Sequence, residues 1–122
     1  MIYVTGGFSK KIKGYRGRAL RDVTIFSLQD QRWTKFASMK DKRMGHSCCV
    51  LRGTIYVFGG DNNKKIDTIE KLAVRANAKN WEKIRPSYDD NSASPGCRLT
   101  PRKLAIMVPF EQSNSIVIFG GF

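Results

Sequence analysis

Apolar residues fall along this chain in short runs, and three of the runs stop at a pair of glycines. Ile2, Tyr3 and Val4 lead to Gly6-Gly7; Ile55, Tyr56, Val57 and Phe58 to Gly59-Gly60; Ile116, Val117, Ile118 and Phe119 to Gly120-Gly121. Branched and aromatic residues fit a pleated, half-buried surface, so each run predicts a strand. The glycines end it because they accept positive φ and close backbone approach where a Cβ would clash. The second glycines of the pairs lie 53 and 61 residues apart. Recurrence at about fifty residues is the mark of a repeat architecture.

The pattern between the glycine pairs fills in the units. Residues 2–5 form a strand, and residues 8–21 a long basic loop containing Gly14 and Gly17. Val23, Ile25 and Ser27 alternate with Thr24, Phe26 and Leu28, predicting a strand over 22–28. A turn at 29–31 leads to a strand over 32–36 anchored by Trp33, and residues 37–45 form a linker. Ser47–Leu51 and Thr54–Phe58 are two strands joined by a tight turn at Arg52-Gly53. Over 66–72 a helix competes, because 68–78 is rich in helix formers; the neighbouring repeat argues for a strand. Residues 80–84 repeat the Trp strand with Trp81, and 86–101, holding Pro86, Pro95, Gly96 and Pro101, read as loop. A last hairpin runs over 103–110 and 115–119. Nine strands make the chain all-β, built of four-stranded units.

With 122 residues, 41% of them hydrophobic, the chain is a globular segment and not a disordered one. Its N-terminus lacks the basic and apolar regions of a signal peptide, and its longest apolar run, about 105–110, is too short for a membrane span. Three cysteines, with Cys48 and Cys49 adjacent in one strand, make no disulfide framework. Alternation expects one of the pair in the core and one between sheets, with Cys97 in a loop. A reducing, cytoplasmic location is the expectation.

Charge changes the picture most. Lys and Arg number 22 against 10 Asp and Glu, a formal net charge of +12. Such a surplus bears on partners, not on fold. Residues 8–22 alone hold Lys10, Lys11, Lys13, Arg16, Arg18 and Arg21 against Asp22. Catalytic signals are absent by contrast. His46 is the only histidine, no acidic cluster has metal-ligand spacing, and the cysteines do not form C-x-x-C. His46 and Ser47 point apart on a strand and cannot act as base and nucleophile. Phosphate-loop, dinucleotide-binding and H-E-x-x-H motifs are missing too. No catalytic residue, metal ligand or cofactor is expected. Nucleic acid is not favoured, since only Tyr15 interleaves the cations for base stacking.

Arg43, Gly45, His46 and Ser47 (R-x-G-H-S), the apolar run into Gly59-Gly60 and then Trp81 resemble the kelch repeat, the four-stranded blade of a β-propeller. The first unit resembles it from Gly6-Gly7 through Asp22-Val23 to Trp33, and the last from Arg102, with Leu104-Ala105 where Gly-His is expected. The resemblance covers essentially the whole chain and implies a kelch-type β-propeller segment of four-stranded antiparallel blades in an incomplete ring. Residues 1–36 would supply strands two to four of one blade, 43–84 a complete blade and 102–122 strands one and two of a third. Residues 85–101 would be an irregular inter-blade loop. Trp33 and Trp81 would each bury an indole between sheets, about 2–3 kcal/mol apiece. Just over two blades cannot close a ring, so the chain is expected to be a piece of a larger propeller or to self-associate.

The same resemblance implies function. Kelch blades without catalytic residues act as protein-interaction scaffolds or adaptors, and the basic loop shares a face with the inter-blade connections. Arginines at the R-x-G position, here Arg43 and Arg102, line the channel mouth in peptide-binding relatives. The expected partner is an acidic protein segment bound through Lys10, Lys11, Lys13, Arg16, Arg18, Arg21, Lys40, Lys42, Arg43 and Arg102. Guanidinium groups suit it because they pair carboxylates bidentately. The alternatives are a piece of an enzyme propeller of the galactose oxidase kind, whose His and Tyr ligands this chain does not supply, and a polyanion binder.

Overall fold

A computed structural model describes residues 1–10, 13–88 and 99–122. Among them every regular element is a strand, in three antiparallel sheets. β1 (Ile2–Ser9), β2 (Arg18–Ser27) and β3 (Arg32–Phe36) form the first in that order. β4 (Ser47–Leu51), β5 (Thr54–Phe58), β6 (Ile69–Leu72) and β7 (Glu82–Ile84) form the second, and β8 (Ile106–Phe110) with β9 (Ser115–Phe119) the third. Each sheet follows chain order, and the three stay open.

The tight hairpin lies where the sequence places it. Arg52 and Gly53 both take positive φ, +49° and +72°, the geometry whose twist matches the flanking strands. The segment over 66–78 contributes β6 and not a helix, because its Leu72 and Glu70 face inward at strand period. The first hairpin differs from expectation. β1 runs through Gly6-Gly7 to Ser9 and β2 starts at Arg18, with a bulge between Thr5 and Gly7. The predicted loop over 8–21 is thereby cut back, and the chain beyond the glycine pair keeps its pairing.

The core lies between the first two sheets. Val23 from β2 meets Ile55, Val57 and Leu72 of the second sheet, with Met39 and Trp81 closing the cluster and Tyr3 and Phe36 flanking it. Trp81 is 2% exposed and donates its indole N–H to the Ala37 carbonyl at 2.9 Å. Trp33, expected to be buried likewise, is 59% exposed. It pairs across the strand with Phe26, the two rings 4.9 Å apart, on a face shared with Ile2 and Val4 that no other sheet of the described residues covers. Ile106, Phe110 and Phe119 are exposed in the same way on the last sheet. The cysteines also depart from expectation: Cys48 is exposed and Cys49 half-buried. Cys97 lies outside the described residues.

One hydrogen bond recurs between successive sheets. The Gly7 N–H donates to the Arg43 carbonyl at 2.8 Å, and the Gly60 N–H to the Arg102 carbonyl at 2.9 Å. Each glycine pair thus ends one unit's run and receives the chain entering the next. The room is tight: a Cβ on Gly59 would lie 2.3 Å from the Arg102 carbonyl oxygen, and Gly59 holds φ at +68°.

Candidate functional site

The segment between β3 and β4 organises the charged groups. It crosses the first hairpin, with the Met39 N–H donating to the Arg21 carbonyl and the Arg43 N–H to the Leu20 carbonyl. It then meets the loop after β5, where Met44 and Asp61 exchange backbone bonds of 3.0 and 2.9 Å. Residues far apart in sequence therefore share one edge: the end of β1 and β2, the crossing segment and the 61–65 loop.

Arg43 is drawn inside. It is 0% exposed, as is Glu70, and the two meet at 2.9 Å through Nη2 and 3.1 Å through Nε. Its Nη1 donates to the Gly59 and Thr68 carbonyls, both at 2.9 Å, and Nη2 also to Thr68 Oγ1 at 2.7 Å. Asp41 lies 3.3 Å away and is bound in turn by Lys83 at 2.9 Å. Glu70 further accepts from the Lys40 and Asp41 N–H groups. Burial alone would raise the Asp41 carboxyl, but bonds from Lys83 and Thr68 and the Lys83 and Arg43 charges hold it below its ordinary value. A guanidinium with these donors spent inside the protein ties the crossing segment to β6. Sequence spacing could not show this, because the carboxylate is 27 residues away.

His46 packs where two glycine pairs converge. A Cβ on Gly6 would come within 2.9 Å of its Cε1, and one on Gly60 within 3.1 Å of its Cβ. Its Nε2 lies 2.8 Å from Thr5 Oγ1, while the buried Nδ1 has no partner among the described residues. Burial, then the nearby Arg43 charge, lowers its pKa. A neutral ring carrying its proton on Nε2 fits this setting. Among the described residues no group of three or more His, Cys, Asp or Glu could hold a metal ion. Burial, with Cys48 adding to it, pushes the Cys49 thiol up, away from thiolate chemistry.

The remaining basic residues stay outside. Lys10, Lys13, Arg16, Arg18, Arg21, Lys40 and Lys42 are exposed, and none has an ion pair among the described residues. Lys11 lies outside the described residues. Arg18 and Lys42, one at the start of β2 and one on the crossing segment, line a single pocket with Asn62 and Asn63. Arg102 is separate and half-buried. Its guanidinium is bound to the Gly120 carbonyl at 3.1 Å and to Thr100 Oγ1 at 2.7 Å. Arg43 and Arg102 thus hold equivalent places, each bridging to the first glycine of its own pair. Of the exposed cations the structure brings Arg18 and Lys42 to one pocket, while the guanidinium groups of Arg43 and Arg102 are spent on carbonyl and hydroxyl oxygens of the chain itself.

The Kelch motif family model matches residues 1–40 and 42–86. Kelch-like protein 34 of Homo sapiens is 32% identical over 90 residues, covering 73% of this chain and 13% of that protein. Beta-scruin of Limulus polyphemus is 32% identical over 88 residues, covering 70% of this chain and 10% of the relative. Kelch-like protein 25 of Xenopus tropicalis is 34% identical over 59 residues, 48% of this chain and 9% of its own length. The chain therefore spans about a tenth of the length of these relatives. Repeated glycine pairs, sequential antiparallel sheets and the motif match agree: the chain belongs to the kelch-repeat family, and its open sheets are partial β-propeller blades.

Proposed function

We propose that this kelch-family chain is part of a non-catalytic protein-interaction module that binds an acidic protein segment along its basic edge. The observation that carries the reading is the set of seven exposed cations on the first hairpin's end and the crossing segment, all without an ion pair among the described residues. Unpaired cations keep their field directed outward, whereas the buried Arg43 has its charge answered by Glu70 and Asp41. Membership of a family whose blades serve interaction elsewhere supports the same reading. The apolar outer faces at Trp33 and at Phe119 are surfaces on which further blades or a second copy would pack.

A glutamate-rich peptide should bind the chain, and its glutamine counterpart should not. Reversing Lys10, Lys13 and Arg16 to Glu should weaken binding without altering the melting temperature. Equal binding of both peptides would overturn the reading.

A further inference from the structure

We propose that the pocket between the end of the first hairpin and the 61–65 loop is a carboxylate subsite, receiving one Glu or Asp side chain of the acidic segment. This rests on the interaction function proposed above and gives it a place. The pocket holds about 200 Å³. That is below the roughly 300–1,000 Å³ of small-molecule sites, and suits a single side chain.

Its lining is divided by chemistry. Arg18 and Lys42 bring two positive charges from different elements, and neither has an ion pair among the described residues. The side-chain amides of Asn62 and Asn63 carry no hydrogen bond among the described residues, so their N–H groups are available to an incoming oxygen. Phe8 and Met44 add apolar surface for methylene groups. The carboxylates next to the lining residues in sequence, Asp41 and Asp61, are already bound, by Lys83 at 2.9 Å and by Lys103 at 3.2 Å. A carboxylate on a short apolar stem matches this set of donors and surfaces. A bare phosphate would satisfy the cations but leave the apolar surface unused.

The walls are held before any ligand arrives. Met44 and Asp61 are joined by two backbone bonds, the Asn63 N–H donates to Asp61 Oδ1 at 2.8 Å, and the Asn62 N–H to the Lys64 carbonyl at 3.2 Å. On the other side Gly17 lies directly against Phe8, where a Cβ would come within 2.2 Å of the ring. Prior order of this kind removes part of the entropic cost of binding.

The test is titration of the chain with a fluorescein-labelled glutamate-rich peptide, comparing two variants of equal net charge. Arg18→Gln with Lys42→Gln empties the pocket of charge; Arg32→Gln with Lys35→Gln removes two exposed cations of β3. Each lost pocket contact should weaken binding about fivefold, and the β3 pair should weaken it less than about twofold. Asn62→Ala should weaken binding at unchanged charge, and glutarate should displace the peptide better than inorganic phosphate at equal ionic strength. If the two charge pairs lose equally, or phosphate displaces better, the carboxylate pocket is overturned while the basic edge stands as an interaction surface. If the unaltered chain does not bind the peptide, both readings fall.

Discussion

Removing both members of the Arg43–Glu70 pair should destabilise the protein by clearly less than the sum of the two single losses. Glu70→Ala leaves a guanidinium and the Lys40 and Asp41 N–H groups without their carboxylate, all around a side chain that is 0% exposed. Breaking a buried pair from one side costs about 3–5 kcal/mol. Asp41, Thr68 and the Gly59 carbonyl would still hold Arg43, which places Glu70→Ala near the lower end, about 3 kcal/mol. Arg43→Met strands the carboxylate with only two backbone donors and should cost about 3–5 kcal/mol. Joining it to Glu70→Leu should recover at least about 2 kcal/mol relative to the sum of the single losses. Urea unfolding read by tryptophan emission in a Trp33→Phe background reports on the buried Trp81 alone. Single losses under about 1 kcal/mol, or single losses that simply add, would refute the buried pair as the tie between the crossing segment and β6.

Two further outcomes are expected. The folded-state pKa of His46 is depressed below the ordinary 6.5, so the unfolded chain binds the proton more readily. Stability from this group should be full above about pH 6.5, fall as pH drops through the window below it, and lose that slope in His46→Gln, checked by melting temperature against pH. Trp81→Ala should cost about 3–5 kcal/mol and Trp33→Ala less than about 1 kcal/mol, each in urea unfolding followed by far-ultraviolet circular dichroism.

The sequence makes the architecture legible wherever the signal is local. Ser47–Leu51, Thr54–Phe58 and Ser115–Phe119 are strands in the structure as their apolar runs and flanking turns imply. The glycine pairs mark the unit ends because their need for room is a property of the backbone at that place. Pairing beyond Gly7 was not legible, since the stretch from Ser9 to Arg18 is rich in cations and glycine, and Ser9 and Arg18 are held by their partner strand, not by an apolar pattern. The strand expected over 103–110 begins only at Ile106: Leu104 takes a φ of +58° while its N–H donates to the Gly45 carbonyl.

The candidate site was legible as charge but not as geometry. Lys42 and Arg43 are adjacent in sequence, and composition treats both as cations. In the fold Lys42 lines a pocket while Arg43 turns inward to Glu70. Trp33 and Trp81 occupy similar motif positions, yet only Trp81 has a sheet packed over it. Asn62 and Asn63 read as turn residues, and only the pairing of Met44 with Asp61 brings them beside Arg18. What pattern alone omits is the neighbour across the gap.

The most direct test of the basic edge as an interaction surface is the association rate of the glutamate-rich peptide measured against ionic strength. Exposed charges are screened over about 8–10 Å at physiological salt, so a steered encounter should slow steeply as salt rises. Dissociation should change little over the same range, and reversal of Lys10, Lys13 and Arg16 to Glu should remove most of the salt dependence. An association rate indifferent to salt and to the reversal would contradict the account.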